Sequence, residues 1–175
     1  MDSTEALVKA QGLLEYLTRA KSAHDFSDRL ETCIQNAGSL HALIDITDSS
    51  LKSHEDSAAL HFKREAYEEA LIPMQLLAAL QPNKQSHWLQ LGAIRMKLSN
   101  FEQALQAFAM ATFCEPSDPR PYFFSAFSYC KLNNFKEAEL CLNHTIRLSQ
   151  NIPSNQALEK EAVAFLSYLK ERQIA

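Results

Sequence analysis

Residues 88–104 read WLQLGAIRMKLSNFEQA, and the same residue types return 34 positions later in residues 122–138, YFFSAFSYCKLNNFKEA. Both stretches begin with a bulky aromatic residue, place a small residue four positions on, and end in the pattern aromatic-x-x-Ala. An earlier copy of that ending is Tyr67-Glu-Glu-Ala70. Three copies in a single register are the signature of an internally repeated architecture.

The recurring residue types suit two helices packed as a hairpin. The bulky residue wedges between the helices, and the small residue that follows it, Gly92 or Ala126, lets them approach closely. The Ala of the aromatic-x-x-Ala pattern permits close packing of the second helix. Pro82 and Pro116, also 34 apart, end that helix because proline cannot continue it. A helix–turn–helix unit of 34 residues is the tetratricopeptide repeat (TPR).

Composition agrees with a helical protein. The 175 residues are 46% hydrophobic with only 3 Gly and 6 Pro, and good helix formers such as Leu, Ala, Glu, Gln and Lys dominate. We predict an all-α fold in which three TPR hairpins form a superhelical solenoid, with an N-terminal helical extension and a C-terminal capping helix. From the repeats onward we expect seven helices, at about 49–64, 67–80, 85–98, 101–114, 119–132, 135–149 and 155–173.

The repeats occupy residues 49–150 in this prediction, at about 51–84, 85–118 and 119–152. The third repeat has Gln150 where its terminating proline is expected, with Pro153 slightly later, so the array is predicted to end there. Residues 153–175 then form the capping helix, with Ser154 as its N-cap. One face of that helix carries apolar residues at helical spacing, namely Leu158, Ala162, Phe165, Leu166 and Leu169.

Residues 1–48 are predicted to be an N-terminal helical extension. Ser3 can cap a helix with an apolar face, and a second helix is expected at about 24–36, before Gly38. No low-complexity linker follows, so we expect the extension to pack on the repeats. The apolar face of the first helix consists of Leu7, Ala10, Leu14 and Leu17.

Charge and hydropathy exclude several classes of partner. The formal net charge is −4 and no basic stripe is present, so nucleic acid is not expected as a ligand. No apolar run reaches the ~18 residues of a transmembrane helix, and the first ten residues lack a secretory signal, so no direct membrane insertion is expected. The four cysteines lack paired short spacing, which is typical of reduced thiols in a cytoplasmic protein.

Four segments resemble the class II chaperones of bacterial type III secretion systems, and the likeness runs from about residue 26 to 150. The lead-in Gly38-x-Leu40-x-x-Leu43-x-x-Ile46 is similar to the approach to that family's first repeat. Residues 58–70 resemble its "AYxxYxxGKYEDA" stretch, although Glu65 stands at the usual Gly. Residues 91–93 resemble its "GLGAC" segment, and residues 118–123, DPRPYF, its "(D/E)PRxPFH" entry to repeat three.

The resemblance implies a function and partners. Such chaperones act in the bacterial cytoplasm, where they hold secreted hydrophobic translocator proteins before export, and some also bind a gatekeeper that orders secretion. The resemblance further implies a homodimer formed through the N-terminal region. Residues 1–25 look longer than is usual in the family, and they could supply an amphipathic contact face.

The repeat register also predicts where a partner would bind. The first helix of each TPR hairpin lines the concave face of a solenoid, and Leu51, Gln85 and Pro119 are the first positions of the three repeats. A largely apolar groove with a lysine rim suits an extended peptide with apolar anchors, although each lysine could equally be an ordinary solvated charge. The predicted groove residues are Ala59, Phe62, Lys63, Leu89, Ala93, Met96, Lys97, Phe123, Phe127, Cys130 and Lys131.

The third repeat is unusually aromatic, because its first helix carries Tyr122, Phe123, Phe124, Phe127 and Tyr129. One helix face cannot bury all five. The two tyrosines fall at packing positions and Phe124 toward a neighbouring repeat, which leaves Phe123 and Phe127 for the groove. The alternative is that the last helix or the N-terminal extension folds back over these two rings.

The sequence contains no catalytic motif and implies no cofactor. It has no G-x-S-x-G, Walker, H-E-x-x-H or glycine-rich phosphate pattern. The six histidines do not cluster and are interpreted as surface or half-buried residues. Cys141 and His144 could share a metal ion, but a structural zinc site needs about four ligands. We therefore predict a binding protein and not an enzyme.

Two functions outside secretion compete with the chaperone hypothesis. One is a general TPR adaptor, scaffold or assembly factor, including a co-chaperone that clamps a terminal carboxylate. A carboxylate clamp needs basic and Asn side chains on the concave face, whereas the predicted groove is mostly apolar. An enzyme is the third and weakest hypothesis.

Overall fold

The computed structural model describes residues 48–150 and 152–174. The predicted N-terminal extension, including both of its helices and its dimer contact, lies outside these residues. Within them the protein has seven α-helices, one 3-10 turn and no strand. The helices are α1 (Asp48–Lys63), α2 (Tyr67–Leu80), α3 (Gln85–Lys97), α4 (Phe101–Cys114), α5 (Arg120–Lys131), α6 (Phe135–Ser149) and α7 (Gln156–Ile174).

The helices form three hairpins stacked in sequence order, α1–α2, α3–α4 and α5–α6, and α7 packs against α6. Each second helix also packs against the first helix of the next hairpin, while the first helices α3 and α5 touch each other directly. All seven predicted helices are present, with ends within two residues of those expected. The all-α TPR prediction is therefore confirmed for the described residues.

The turn inside each hairpin has the same backbone geometry. Glu65, Ser99 and Asn133, spaced 34 apart, all have a φ of 61°, in the left-handed region that favours glycine. In each turn the N–H of the following residue donates to a carbonyl five residues earlier, at 2.9 Å. The carbonyls that accept these bonds belong to His61, Arg95 and Tyr129. The same turn geometry therefore recurs in the backbone with the 34-residue period of the sequence.

The second hairpin closes around Gly92 as predicted. Phe108 on α4 is fully buried, and its ring lies against Gly92 on α3. Ala104, also on α4, is fully buried in the same cluster. Trp88 is the bulky residue predicted to wedge between the two helices, but its side chain is only half-buried. Its indole Nε1 donates to the Pro82 carbonyl at 2.7 Å, so a polar contact at the hairpin end keeps part of the ring at the surface.

His87 corrects the interpretation of the histidines as surface or half-buried residues. Its side chain is buried, with the ring nitrogens 3.2 Å from the Leu77 carbonyl oxygen and 2.8 Å from a Glu55 carboxylate oxygen. Glu55 also pairs with Lys84. Hydrogen bonds from Lys84 and His87 lower the pKa of Glu55. This cluster joins α1 of the first hairpin to the start of α3 in the second.

The C-terminal helix caps the array as predicted, but it does not begin as predicted. A 3-10 turn, Pro153–Asn155, precedes α7, and Ser154 lies inside that turn instead of acting as an N-cap. The Ser154 hydroxyl contacts the Asn155 side chain at 3.4 Å. The apolar face of α7 packs on α6 around Ala138 and Leu142, through Ala162, Phe165, Leu166 and Leu169.

Candidate functional site

All the predicted groove residues lie on α1, α3 and α5, the first helices of the three hairpins. In a TPR solenoid these helices form the concave surface. Their side chains nevertheless differ in how much surface they offer to a ligand. Burial and contacts therefore separate the residues that are available for binding from those that already serve the core.

The first hairpin contributes an aromatic contact at the end of α1. Phe62 is half-buried, and its ring meets the Tyr67 ring edge to face with centroids 5.4 Å apart. Ala59 and Lys63 are exposed. Phe62 is thus anchored by the core while part of its surface stays open.

The second hairpin requires one correction. Leu89 is only 8% exposed, because it packs in the core with Ala104, Phe108 and Ala111. It therefore supports the groove from beneath and offers little surface to a ligand. Further along α3, Ala93 and Met96 are half-buried and Lys97 is exposed.

In the third hairpin, the two phenylalanines that the sequence places in the groove differ in burial. Phe123 packs against the core around α6 and α7, and its ring meets that of Phe165 with centroids 6.4 Å apart. Phe165 belongs to the last helix, so the self-coverage alternative applies to Phe123. Phe127 is 39% exposed, and it is the more available ring.

The other aromatic residues of α5 occupy the predicted places. Phe124 faces the neighbouring repeat, where it stacks on Phe108 with centroids 5.7 Å apart. Tyr122 stacks on His144 at 5.2 Å, and Tyr129 packs into the core of the third hairpin. Phe165 is the residue that the groove prediction missed. Its helical spacing placed it on the inner face of α7, but only the folded chain shows it beside Phe123.

The two thiols of this region have raised pKa values, which favour the protonated form over the nucleophilic thiolate. Burial raises the pKa of Cys130, an effect that Lys131 only partly opposes, and burial raises the pKa of Cys141 to about 11. Both thiols therefore stay protonated at neutral pH, and Cys130 packs as a small apolar side chain against the core around α6 and α7. Within residues 48–150 and 152–174 no three His, Cys, Asp or Glu side chains are arranged to hold a metal ion.

Four other apolar side chains that keep some exposure lie on the three first helices, besides the exposed Ala59 and the half-buried Cys130. We call this set the apolar strip: Phe62, Ala93, Met96 and Phe127. Lys63, Lys97 and Lys131 lie beside it, each exposed. Such a surface can take apolar side chains of an extended partner between the helices. In the part of the chain that the structure describes, no helix is both long and apolar enough to cross a membrane.

The sequence matches no family model and no curated protein. Solved structures, however, share the fold. PcrH in complex with the chaperone-binding region of PopD is 24% identical, with a TM-score of 0.70 over 73% of this chain and 96% of that one. The chaperone SycD of Yersinia enterocolitica, in complex with a peptide of the translocator YopD, is 22% identical, with a TM-score of 0.69 over 73% and 97%.

A third solved structure extends the match over more of the chain. The CopN–Scc3 complex contains a chain that is 22% identical, with a TM-score of 0.70 over 92% of this chain and 98% of that one. SycD is described as a type III secretion translocator chaperone. The chain therefore has the fold of the type III secretion translocator chaperones, as its sequence motifs suggested.

Proposed function

We propose that this chain is a cytoplasmic chaperone of a bacterial type III secretion system. It binds a secreted hydrophobic translocator through the concave face of its TPR array and shields it until export. The observation that carries the proposal is the apolar strip, a set of half-buried or exposed apolar side chains on the first helices of three stacked hairpins. PcrH and SycD, which share this fold, were solved with segments of PopD and YopD.

The proposed binding mode uses an extended segment of the translocator. Its apolar side chains enter between neighbouring first helices, where the half-buried Met96 packs on the core and Phe127 is exposed. Anchors of this kind dominate the affinity of a peptide interface because they become fully desolvated on binding. Leu89 and Phe123 support the site from below, since Leu89 is buried and the half-buried Phe123 packs against Phe165 and the core.

The proposal extends to the rest of the chain. Residues 1–48 are assigned to an N-terminal extension that forms a homodimer, residues 49–150 to the binding repeats, and residues 153–175 to the cap. A secretion gatekeeper is a second proposed partner. The chain performs no catalysis in this proposal, which is consistent with solved relatives that are chaperones and with the protonated state of its buried thiols.

Co-expression with the translocators of the same organism tests the proposal. A translocator that aggregates alone is expected to stay soluble and to co-purify with the chain. Phe127→Ala is expected to weaken the isolated complex by about 2 kcal/mol, as for a buried anchor. Phe113→Ala is the matched control, because Phe113 is 80% exposed and lies on α4, a second helix of a hairpin. Equal loss of affinity in both variants, or no soluble complex with any translocator, would refute the proposal.

A further inference from the structure

Three lysines occupy equivalent places in the three hairpins. Lys63, Lys97 and Lys131 are spaced 34 apart, and each is the last residue of the first helix of its hairpin. In the turn after each lysine, the second residue has a left-handed φ of 61°, and the third donates a backbone hydrogen bond to the carbonyl five residues earlier. The three side chains therefore leave equivalent backbone positions along one edge of the apolar strip. We call this set the lysine edge.

Two of these ammonium groups lie beside aromatic rings. The Nζ of Lys131 lies 5.3 Å from the centroid of Phe127, a member of the apolar strip. The Nζ of Lys97 lies 6.0 Å from the centroid of Tyr67, whose ring in turn contacts Phe62. Cation–π attraction of this kind holds a cation near the ring face. Positive charge is thus placed directly beside the apolar surface.

The lysine edge also has no carboxylate partner within residues 48–150 and 152–174, although acidic residues outnumber basic ones 21 to 17 in the whole chain. Three other cations of the described part, unlike Lys52, Lys136 and Lys160, do have carboxylate partners. The pairs are Lys84 with Glu55, Arg120 with Asp118 and Lys170 with Glu139. A row of lysines that no described carboxylate pairs with is complementary to an acidic ligand.

We infer that the segment bound by this chain carries acidic side chains that face the lysine edge while its apolar side chains fill the strip. The inference rests on the proposed function and adds the charge pattern of the partner. An extended ligand advances about 3.3 Å per residue, so acidic side chains that reach successive lysines are expected to be separated by several residues.

The test compares two triple variants with the same loss of charge. The edge variant carries Lys63→Gln, Lys97→Gln and Lys131→Gln. The control variant carries Lys52→Gln, Lys136→Gln and Lys160→Gln, which remove three exposed lysines outside the edge. Binding of the translocator that co-purifies with the chain is measured by calorimetry at low and high salt, and thermal unfolding is measured on both variants.

The edge variant is expected to bind about tenfold more weakly at low salt, the combined effect of three exposed ion pairs, with a smaller difference at high salt. The control variant should bind within about twofold of the parent. Lysines at helix ends also stabilise the helix itself. If the loss of affinity follows a loss of thermal stability, or if the two variants weaken binding equally, the inference is wrong.

A second experiment changes the charge of the ligand instead of the charge of the protein. The bound translocator segment, defined by limited proteolysis of the complex, is synthesised with its acidic residues kept or replaced by amides. The amide form should bind the parent more weakly, and the two forms should bind the edge variant alike. A bound segment without acidic residues overturns the inference, as does an edge variant with parental affinity. Neither result affects the proposed function, which is tested separately by co-purification of a translocator and by the comparison of Phe127→Ala with Phe113→Ala.

Discussion

The ring of Phe108 lies so close to the backbone of Gly92 that no side chain can stand between them. A Cβ on Gly92 would meet Cε1 of the ring and would lie 2.6 Å from Cδ1 and 2.7 Å from Cζ. Phe108 is fully buried and stacks on Phe124 of the next hairpin. One glycine thus sets the approach of α3 to α4 and, through the ring, the contact of α4 with α5.

Gly92→Ala should destabilise the protein even though alanine is the better helix former. The overpacking cost of about 1–3 kcal/mol exceeds the gain of about 1 kcal/mol in helix propensity, because the buried ring has no room to move away. Chemical denaturation of the parent and the variant measures the difference. The double variant Gly92→Ala/Phe108→Leu should lose less than the two single variants together, since a smaller residue accommodates the methyl. A stabilised single variant would contradict this packing.

The three left-handed turn residues offer a graded test of backbone strain. A non-glycine residue in this conformation costs about 1–2 kcal/mol, less for asparagine, while glycine adds entropy to the unfolded chain. Glu65→Gly and Ser99→Gly should therefore raise the free energy of unfolding by up to about 1 kcal/mol, and Asn133→Gly should change it least. Glu68→Gly, on the exposed face of α2, is the control and should lower it by about 1 kcal/mol. Equal changes in the free energy of unfolding at all four positions would refute the left-handed conformation of the three turn residues.

Phe123 and Phe127 should respond differently to truncation, although they share a helix face. Phe123→Ala removes a ring packed on Phe165 and the core, so we expect a stability loss approaching the ~3–5 kcal/mol of a core phenylalanine. Phe127→Ala should cost about 1 kcal/mol or less in stability, because 39% of its surface is already exposed. Denaturant melts and translocator titration on the same two variants provide both quantities. A Phe127→Ala variant that unfolds as readily as Phe123→Ala would place Phe127 in the core.

Asp118 should make stability depend on acid pH. Its burial raises the pKa of the carboxyl, but hydrogen bonds from the Arg120 side chain and backbone outweigh this effect and leave the pKa below its usual value. The ionised form is thus favoured by folding, and its contribution is present at neutral pH and lost as the pH falls through the lowered pKa. Asp118→Asn should cost about 1–3 kcal/mol at pH 7 and progressively less below about pH 4.

The control for that prediction is Glu115→Gln, which removes a nearby exposed carboxylate. Denaturant melts at a series of pH values should show little change in this variant at any pH. If Asp118→Asn retains its full cost at pH 3, the contribution comes from packing or from the neutral hydrogen bond to the Arg120 backbone. The charge on Asp118 would then have no part in it.

The helices, the 34-residue register and the close approach at Gly92 could all be read from the sequence. These features depend on local pattern, since helix ends follow from prolines, turn residues and apolar spacing within one or two turns. The position of Gly92 four residues after Trp88 predicted a tight helix contact, and Phe108 makes that contact. The local pattern failed at Ser154, where a 3-10 turn after Pro153 replaces the expected cap.

Only tertiary packing determined which groove residues are available to a partner. Leu89 and Phe123 belong to the same predicted groove face as Phe127. Leu89 is nonetheless buried and Phe123 is half-buried against Phe165, whereas Phe127 is 39% exposed. Phe165 reaches Phe123 from 42 positions along the chain, and Glu55 reaches His87 from 32. Spacing along one helix indicates which face a residue occupies. Its burial depends on which side chains from other helices pack against that face.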